Sequence, residues 1–239
     1  EAIASRPSFA VVCNSAAEHI ETATIFAVSG IDVFIEKPIS TKSTAAFKFL
    51  ELCNQRRIVV HVGYNLTYLE SLNAFKNSLA KYLVGDVLSI RCTVGQYLPS
   101  WRPAFDYKYA VSSRKSMGGG VVFELSHEID YLMWIFGRAH SVFAQLSHHG
   151  VLQIDVEDEA LAIMKFRSPK RNITCSLIMD FLRHDYRRTC EIIGSNGTLI
   201  WEMKNHSVFL VSQENQQKEL IFKAPEDEYD QSYEKQMDE

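Results

Sequence analysis

The sequence predicts an α/β protein in two parts: a partial, doubly wound parallel sheet, then an α+β domain built on a large, mostly antiparallel open sheet. Three observations lead there. Over the first 64 residues short apolar runs alternate with helical spacings, as buried parallel strands joined by crossover helices require. Beyond residue 140, strand-like runs follow one another with little more than turns between them, the habit of antiparallel sheets. The 239 residues, 46% hydrophobic and 23% charged, can bury a sizeable core, and their length lies between one and two domains.

The elements follow in order. Phe9-Ala-Val-Val-Cys13 reads as a strand leaving through Asn14-Ser15, and Ile20, Ala23, Ala27 and Val28 mark a helix stopped at Gly30. The cycle repeats with a strand over 31–35, an exit at Glu36-Lys37-Pro38 and a helix over 43–54, then a third strand over 58–62. Ligands bind such sheets at the carboxyl ends of the strands, here Asn14-Ser15, Glu36-Lys37-Pro38 and Gly63-Tyr64-Asn65. A first domain of 1–64 and a second of 65–239 result. The second is expected to hold a helix to about residue 82, a strand over 87–96, an irregular stretch to 117 and a single helix over 121–136. Strands are expected over 141–147, 160–166, 173–180, 188–193, 198–202 and 208–213, and a polar tail from 224 that starts a surface helix or frays.

Charge and cysteine usage narrow the function. Lysine and arginine total 25 against 29 acidic residues, for a net charge of -4, and no basic cluster exceeds a pair, so nucleic acid is not an expected partner. Five widely spaced cysteines with no Cys-x-x-Cys pair read as buried reduced thiols of a cytoplasmic protein, and no metal site is expected. No apolar run approaches the roughly 20 residues that span a bilayer, so no membrane partner is expected either.

Two motifs could carry chemistry. Lys37, between a carboxylate and a proline at the tip of a buried strand, is a good position for a fixed cation, with a plain charged strand end as the alternative. Gly118-Gly119-Gly120 gives a backbone able to approach a ligand and feeds a helix on which Glu124, His127, Glu128 and Tyr131 fall at i, i+3, i+4 and i+7. One wet stripe on an apolar helix suggests a cleft, and His127 beside carboxylates suits a general base. Helix-dipole carboxylates and a hydrogen-bonded core histidine are the alternative.

The ordered set Val-Val-Cys-Asn-Ser-x-x-Glu-His19, Glu36-Lys37-Pro38-Ile-Ser40, Val-Gly63-Tyr64-Asn65 and Gly-Gly-Gly with His127-Glu-Ile-Asp130 resembles the Gfo/Idh/MocA family. The resemblance implies an oxidoreductase with a partial Rossmann-type domain, using NAD or NADP on sugars, cyclitols or nucleotide sugars. It implies Lys37 and His127 as catalytic, with Glu124 standing where the family often has an aspartate one residue earlier. It implies cofactor contacts from Cys13, Asn14, Ser15 and His19, and from Glu36, Lys37, Pro38 and Asn65. Substrate contacts are implied for Tyr64, Trp101, Arg102 and Asp106, and for Tyr107, His127 and Asp130. Residues 65–239 would then bind substrate and mediate oligomerisation as a homodimer or homotetramer. Two departures stand out: Thr67 replaces a common arginine, and no Gly-x-Gly-x-x-Gly turn is present. The chain is therefore expected to be an internal piece of a longer enzyme, short of roughly sixty leading residues and of the C-terminal end, and to be inactive and a poor cofactor binder alone. The alternatives are a non-catalytic regulatory protein that binds NAD(P) or a sugar with the same fold, and an enzyme that keeps its cofactor bound through internal oxidation and reduction.

Overall fold

The computed structural model describes residues 3–5 and 7–238. They form two compact units. One comprises the residues up to Tyr64 with Ala104–Ser126 and Gly150–Val156; the other comprises Asn65–Pro103, His127–His149 and the residues from Glu157 on.

In the first unit β1 (Phe9–Val12), β2 (Asp32–Glu36) and β3 (Val60–Gly63) make a parallel sheet in the order β1-β2-β3. Helices α1 (His19–Val28) and α2 (Ser43–Arg56) are the crossovers. Alternation decides which strand residues go inside: Ala10 and Val12, then Val33 and Ile35, are buried. They meet Ala23 and Ala27 of α1 and Phe49 and Cys53 of α2, each pair one helical turn apart on one face. Burying each large side chain here contributes about 1.5–3 kcal/mol. Phe9 and Val11, on the alternate positions of the edge strand β1, stay half exposed. The segment 104–126 adds three short 3-10 turns and a one-turn helix, α4 (Val121–Glu124).

The second unit is an eight-stranded sheet with helices packed on one face. Its strands are β4 (Val87–Gly95), β5 (Ala139–Ser147), β6 (Glu159–Arg167), β7 (Asn172–Asp180), β8 (Arg187–Gly194), β9 (Gly197–Glu202), β10 (Ser207–Ser212) and β11 (Glu219–Lys223), in the order β11-β10-β9-β8-β4-β7-β6-β5. All neighbours are antiparallel except β4 and β7. Helix α3 (Glu70–Ala80) reaches the sheet where Trp201 Nε1 donates to Ser71 Oγ at 2.9 Å, and α5 (His127–Phe136) where Tyr131 OH and Cys92 Sγ lie 2.9 Å apart. Tyr131 and Trp201 meet edge to face at 5.5 Å. No helix among the described residues is long and apolar enough to cross a membrane.

The structure departs from the sequence expectations at three places. The single helix expected over 121–136 is two, broken at Leu125-Ser126, and the wet stripe is not wet: Glu128 and Tyr131 are fully buried. Glu128 Oε1 lies 2.8 Å from Arg188 Nε on β8, so the stripe's carboxylate answers an inward-facing arginine. Strand β11 was not expected, being a short run between charged ends. The tail forms a helix as expected, α6 (Glu228–Met237), but its polar residues Glu228, Ser232 and Gln236 are buried at i, i+4 and i+8. Glu228 accepts from Ser71 N at 2.9 Å and Ser71 Oγ at 2.6 Å, and Ser232 Oγ from Asn65 Nδ2 at 2.8 Å, so those polar groups are paired rather than solvated.

Candidate active site

Within the first unit, chemistry gathers at the carboxyl end of β2. Glu36 closes the strand opposite Gly63, where a Cβ would stand 3.3 Å from Glu36 Oε1 and Cδ, so the glycine leaves the carboxylate room. Glu36 Oε2 accepts from Lys37 N at 3.2 Å. Lys37 Nζ donates to the Glu124 carbonyl at 3.0 Å and lies 3.5 Å from Glu124 Oε2, both side chains 18% exposed. Glu124 ends α4, so its carbonyl is one of the groups a helix terminus leaves without an intrahelical donor. The ammonium supplies that donor. An ion pair with this exposure is neither fully desolvated nor freely screened, so the cation is held in place yet reachable by water.

His19 ties the β1 and β2 exits together. Its ring is buried on α1, with Nδ1 2.8 Å from the Pro38 carbonyl oxygen and Nε2 3.1 Å from that of Asn14. Both partners are acceptors, so a neutral ring donates to one of them and only the doubly protonated ring donates to both. Asn14 Nδ2 donates to Thr22 Oγ1 and Ser15 Oγ to Glu18 Oε2, which fixes the turn onto the start of α1, while Asn14 is exposed and so is Cys13, the one cysteine that departs from the expected burial because it follows the end of β1 at the turn. The peptide before Pro38 is cis.

The glycine run feeds a helix as expected, and at two of its positions the chain itself comes close. A Cβ on Gly118 (φ +84°) would stand 2.6 Å from Thr41 Cγ2 and 2.9 Å from Ala16 Cβ; one on Gly119 would stand 2.2 Å from the Val111 carbonyl oxygen. On the Cβ side of Gly118 and Gly119 the room is taken by the chain itself. Gly120 then leads into α4.

The remaining expected residues are placed as follows. In the first unit, Tyr64 OH donates to Ser126 Oγ at 3.4 Å, Asp106 caps a 3-10 turn by accepting from Lys108 N, and Tyr107 OH accepts from Gln153 N at 3.3 Å. In the second unit, Asn65 is buried on Ser232, Trp101 Nε1 donates to the Gln96 carbonyl while its ring meets Phe181 at 5.3 Å, and Arg102 is exposed. His127 is buried at the first position of α5. Asp130, one turn on, has its carboxyl pushed up to about 6 by burial. Sequence reasoning missed Arg188 as the partner of Glu128. The signal was there: Arg188 shares the inward parity of Cys190 and Ile192 in β8, where a charge must be answered. Among the described residues no group of three or more His, Cys, Asp or Glu could hold a metal ion.

Comparison with known proteins gives two family models, "Oxidoreductase family, NAD-binding Rossmann fold" over residues 1–64 and "GFO/IDH/MocA C-terminal domain" over 73–200. An uncharacterized oxidoreductase of Synechocystis sp. is 24% identical over 195 residues, covering 76% of this chain and 51% of that protein. An inositol 2-dehydrogenase of Burkholderia ambifaria is 24% identical over 174 residues, covering 70% and 47%. The chain spans about half the length of the curated relatives it matches. In fold it is similar to an inositol dehydrogenase homolog from Azotobacter vinelandii solved with NAD+, with a TM-score of 0.79, 14% identity and coverage of 92% of this chain and 59% of that one. It is similar too to a levoglucosan dehydrogenase solved with NADH and levoglucosan, with a TM-score of 0.77, 19% identity and coverage of 91% and 61%.

Proposed function

Because the chain belongs to the Gfo/Idh/MocA family of NAD-binding oxidoreductases, we propose that it serves in a dehydrogenase that passes a hydride between a hydroxyl-bearing carbon of a sugar, cyclitol or nucleotide sugar and NAD or NADP. The observation that carries this reading is the fixed cation: Lys37 at the end of β2, held by the carbonyl and carboxylate of Glu124.

The residues around it suit a nicotinamide cofactor. Cys13 and Asn14 are exposed at the end of the first strand, and Glu36 offers a carboxylate beside the space left by Gly63, an acceptor of the kind ribose hydroxyls need. Bound there, the nicotinamide supplies the hydride acceptor. Lys37 stabilises negative charge on the substrate oxygen as its proton leaves, and Glu124 keeps the ammonium aimed. His127 is the acid/base that takes and returns that proton. His19 positions the two turns that carry these groups rather than touching substrate. The sugar and cyclitol dehydrogenases among the relatives support the substrate class.

A homodimer or homotetramer belongs to the same proposal, as does a cytoplasmic location, which the five free cysteines support. On one face of the sheet Phe143 pairs with Ile163 and Leu161 with Ile178, and all four are exposed, Phe143 at 72%. A second copy would cover that face.

The test uses the protein with whatever its gene encodes on either side of these residues. Near-ultraviolet absorbance follows NAD(P)H formation across a panel of sugars, cyclitols and nucleotide sugars, and fluorescence follows NADH binding. The expected result is turnover that Lys37→Ala and His127→Ala abolish while NADH binding persists. Tight NADH binding without turnover on any of them would replace this reading with that of a regulatory binding protein.

A further inference from the structure

A cavity of about 270 Å³ opens in the second unit, where the β6–β7 turn meets the end of α3 and the start of β4. None of the residues given a role in hydride transfer lines it. Its lining has two chemistries. Leu79 of α3, Val87 of β4, Ile135 of α5 and Ile173 of β7 give it an apolar part. Arg167 at the end of β6, with Lys170 and Arg171 of the turn that follows, gives it cations, with Asp86 as the acid among its lining residues.

The cations are not equivalent. Lys170 Nζ lies 2.8 Å from both Asp86 oxygens, and those hydrogen bonds raise its pKa, so this pair neutralises itself. Arg171 acts on Lys170 in the opposite sense, as a like charge nearby. Neither Arg167 nor Arg171 has an ion-pair partner among the described residues. Two uncompensated guanidiniums thus border one hollow that is apolar in part, in a chain whose net charge is -4. Tyr82 adds a third feature. It holds a left-handed conformation (φ +61°) that glycine would adopt without strain, and the residue, 65% exposed, also lines the cavity.

We propose that this cavity binds a small organic anion, a carboxylate or phosphate on a compact apolar body. The planar guanidiniums of Arg167 and Arg171 receive the oxyanion, which they match in geometry and charge. The apolar residues take the body. A volume just under the usual range of about 300–1,000 Å³ for ligand sites limits that body to about one ring.

Phenyl phosphate and benzoate test the proposal on the protein with its flanking sequence, read by the methyl NMR signals of Leu79, Ile135 and Ile173. Saturable shifts with either acid are expected, and whichever binds tighter identifies the oxyanion. Arg167→Gln and Arg171→Gln should each weaken binding about tenfold, whereas Lys37→Ala should leave it unchanged. Absence of any saturable shift up to about 10 mM, where two charge-assisted hydrogen bonds would show, overturns the proposal. So does benzyl alcohol binding as well as benzoate, which removes the anion from the argument. Inorganic phosphate binding as well as phenyl phosphate removes the apolar body, and binding that survives loss of both arginines removes the cations; either result overturns it too.

Discussion

The Glu128–Arg188 pair allows a sharp prediction, because its cost when broken differs in kind from its worth when whole. Glu128 is fully buried, Arg188 is 9% exposed, and 2.8 Å separates Oε1 from Nε. Burial alone would lower the guanidinium's pKa; the Glu128 carboxylate, with Tyr186 and Tyr131, holds it above its ordinary value. At an effective dielectric of about 20 the attraction is about 6 kcal/mol, most of it offset by desolvation of the two ions. Removing one partner strands the other. Glu128→Gln or Arg188→Met should therefore cost about 3–5 kcal/mol, whereas Glu128→Leu with Arg188→Met should return close to wild type, since matched apolar replacement is often neutral. All three tryptophans, Trp101, Trp134 and Trp201, lie in the unit that holds the pair, so their fluorescence during urea unfolding reads the right transition. At about 2–4 °C per kcal/mol for a chain of this size, each single change should lower Tm by roughly 6–20 °C. Single variants that lose less than about 1 kcal/mol, or a double variant as unstable as the two losses added, would refute the reasoning.

Three further tests follow from the same packing. Asp130 titrates at about 6 in the folded chain against 3.8 ordinarily, so the folded state holds the extra proton between those values and stability falls as pH rises through them. Discounted for partial exposure, the loss by pH 7 is about 1–2 kcal/mol; Asp130→Asn should be more stable than wild type by that much at pH 7.5 and equal to it at pH 3.5 or below, and equal urea midpoints at both pH values would contradict the assignment. Glu228→Ala should cost about 2–3 kcal/mol by leaving the amide and hydroxyl of Ser71 without their acceptor; an unchanged fluorescence midpoint would show that α6 contributes nothing there. Gly119→Ala would place its Cβ 2.2 Å from the Val111 carbonyl oxygen, while at Gly137 (φ +78°) a Cβ meets nothing within 4 Å. The first should cost about 3 kcal/mol by overpacking and the second about 1 kcal/mol by backbone strain alone; equal thermal shifts would show that close packing is not what the glycine run serves.

The parallel unit was legible because its signals are local. Alternation places Val33 and Ile35 inside, a one-turn spacing does the same for Phe49 and Cys53, and the strand ends follow within a residue or two. The α5 stripe was not legible, since a polar stripe on an apolar helix has two physical solutions: water, or a buried partner on another element. The helix pattern cannot choose between them. The parity of Arg188 in β8 could have, because an arginine on an inward position demands an acid. The tail's surface helix was legible but its buried face was not, for a related reason: its composition suits a solvated face, yet the partners of Glu228 and Ser232 are Ser71 and Asn65, 157 and 167 residues away.

Sequence reading placed Lys37 and Glu124 in the candidate site but could not say what Glu124 does there. The break in the expected helix explains it. Had residues 121–136 formed one helix, the Glu124 carbonyl would have been spent on the amide four residues later. Because α4 stops after one turn, that carbonyl is available to the ammonium of a lysine 87 residues earlier, and the carboxylate of the same residue approaches to 3.5 Å. Just before α4, Gly118 and Gly119 let the chain press against Thr41, Ala16 and Val111. Beside Gly118 and Gly119 the room is filled by the chain, and the Lys37 ammonium is held by the end of the one-turn helix that follows them.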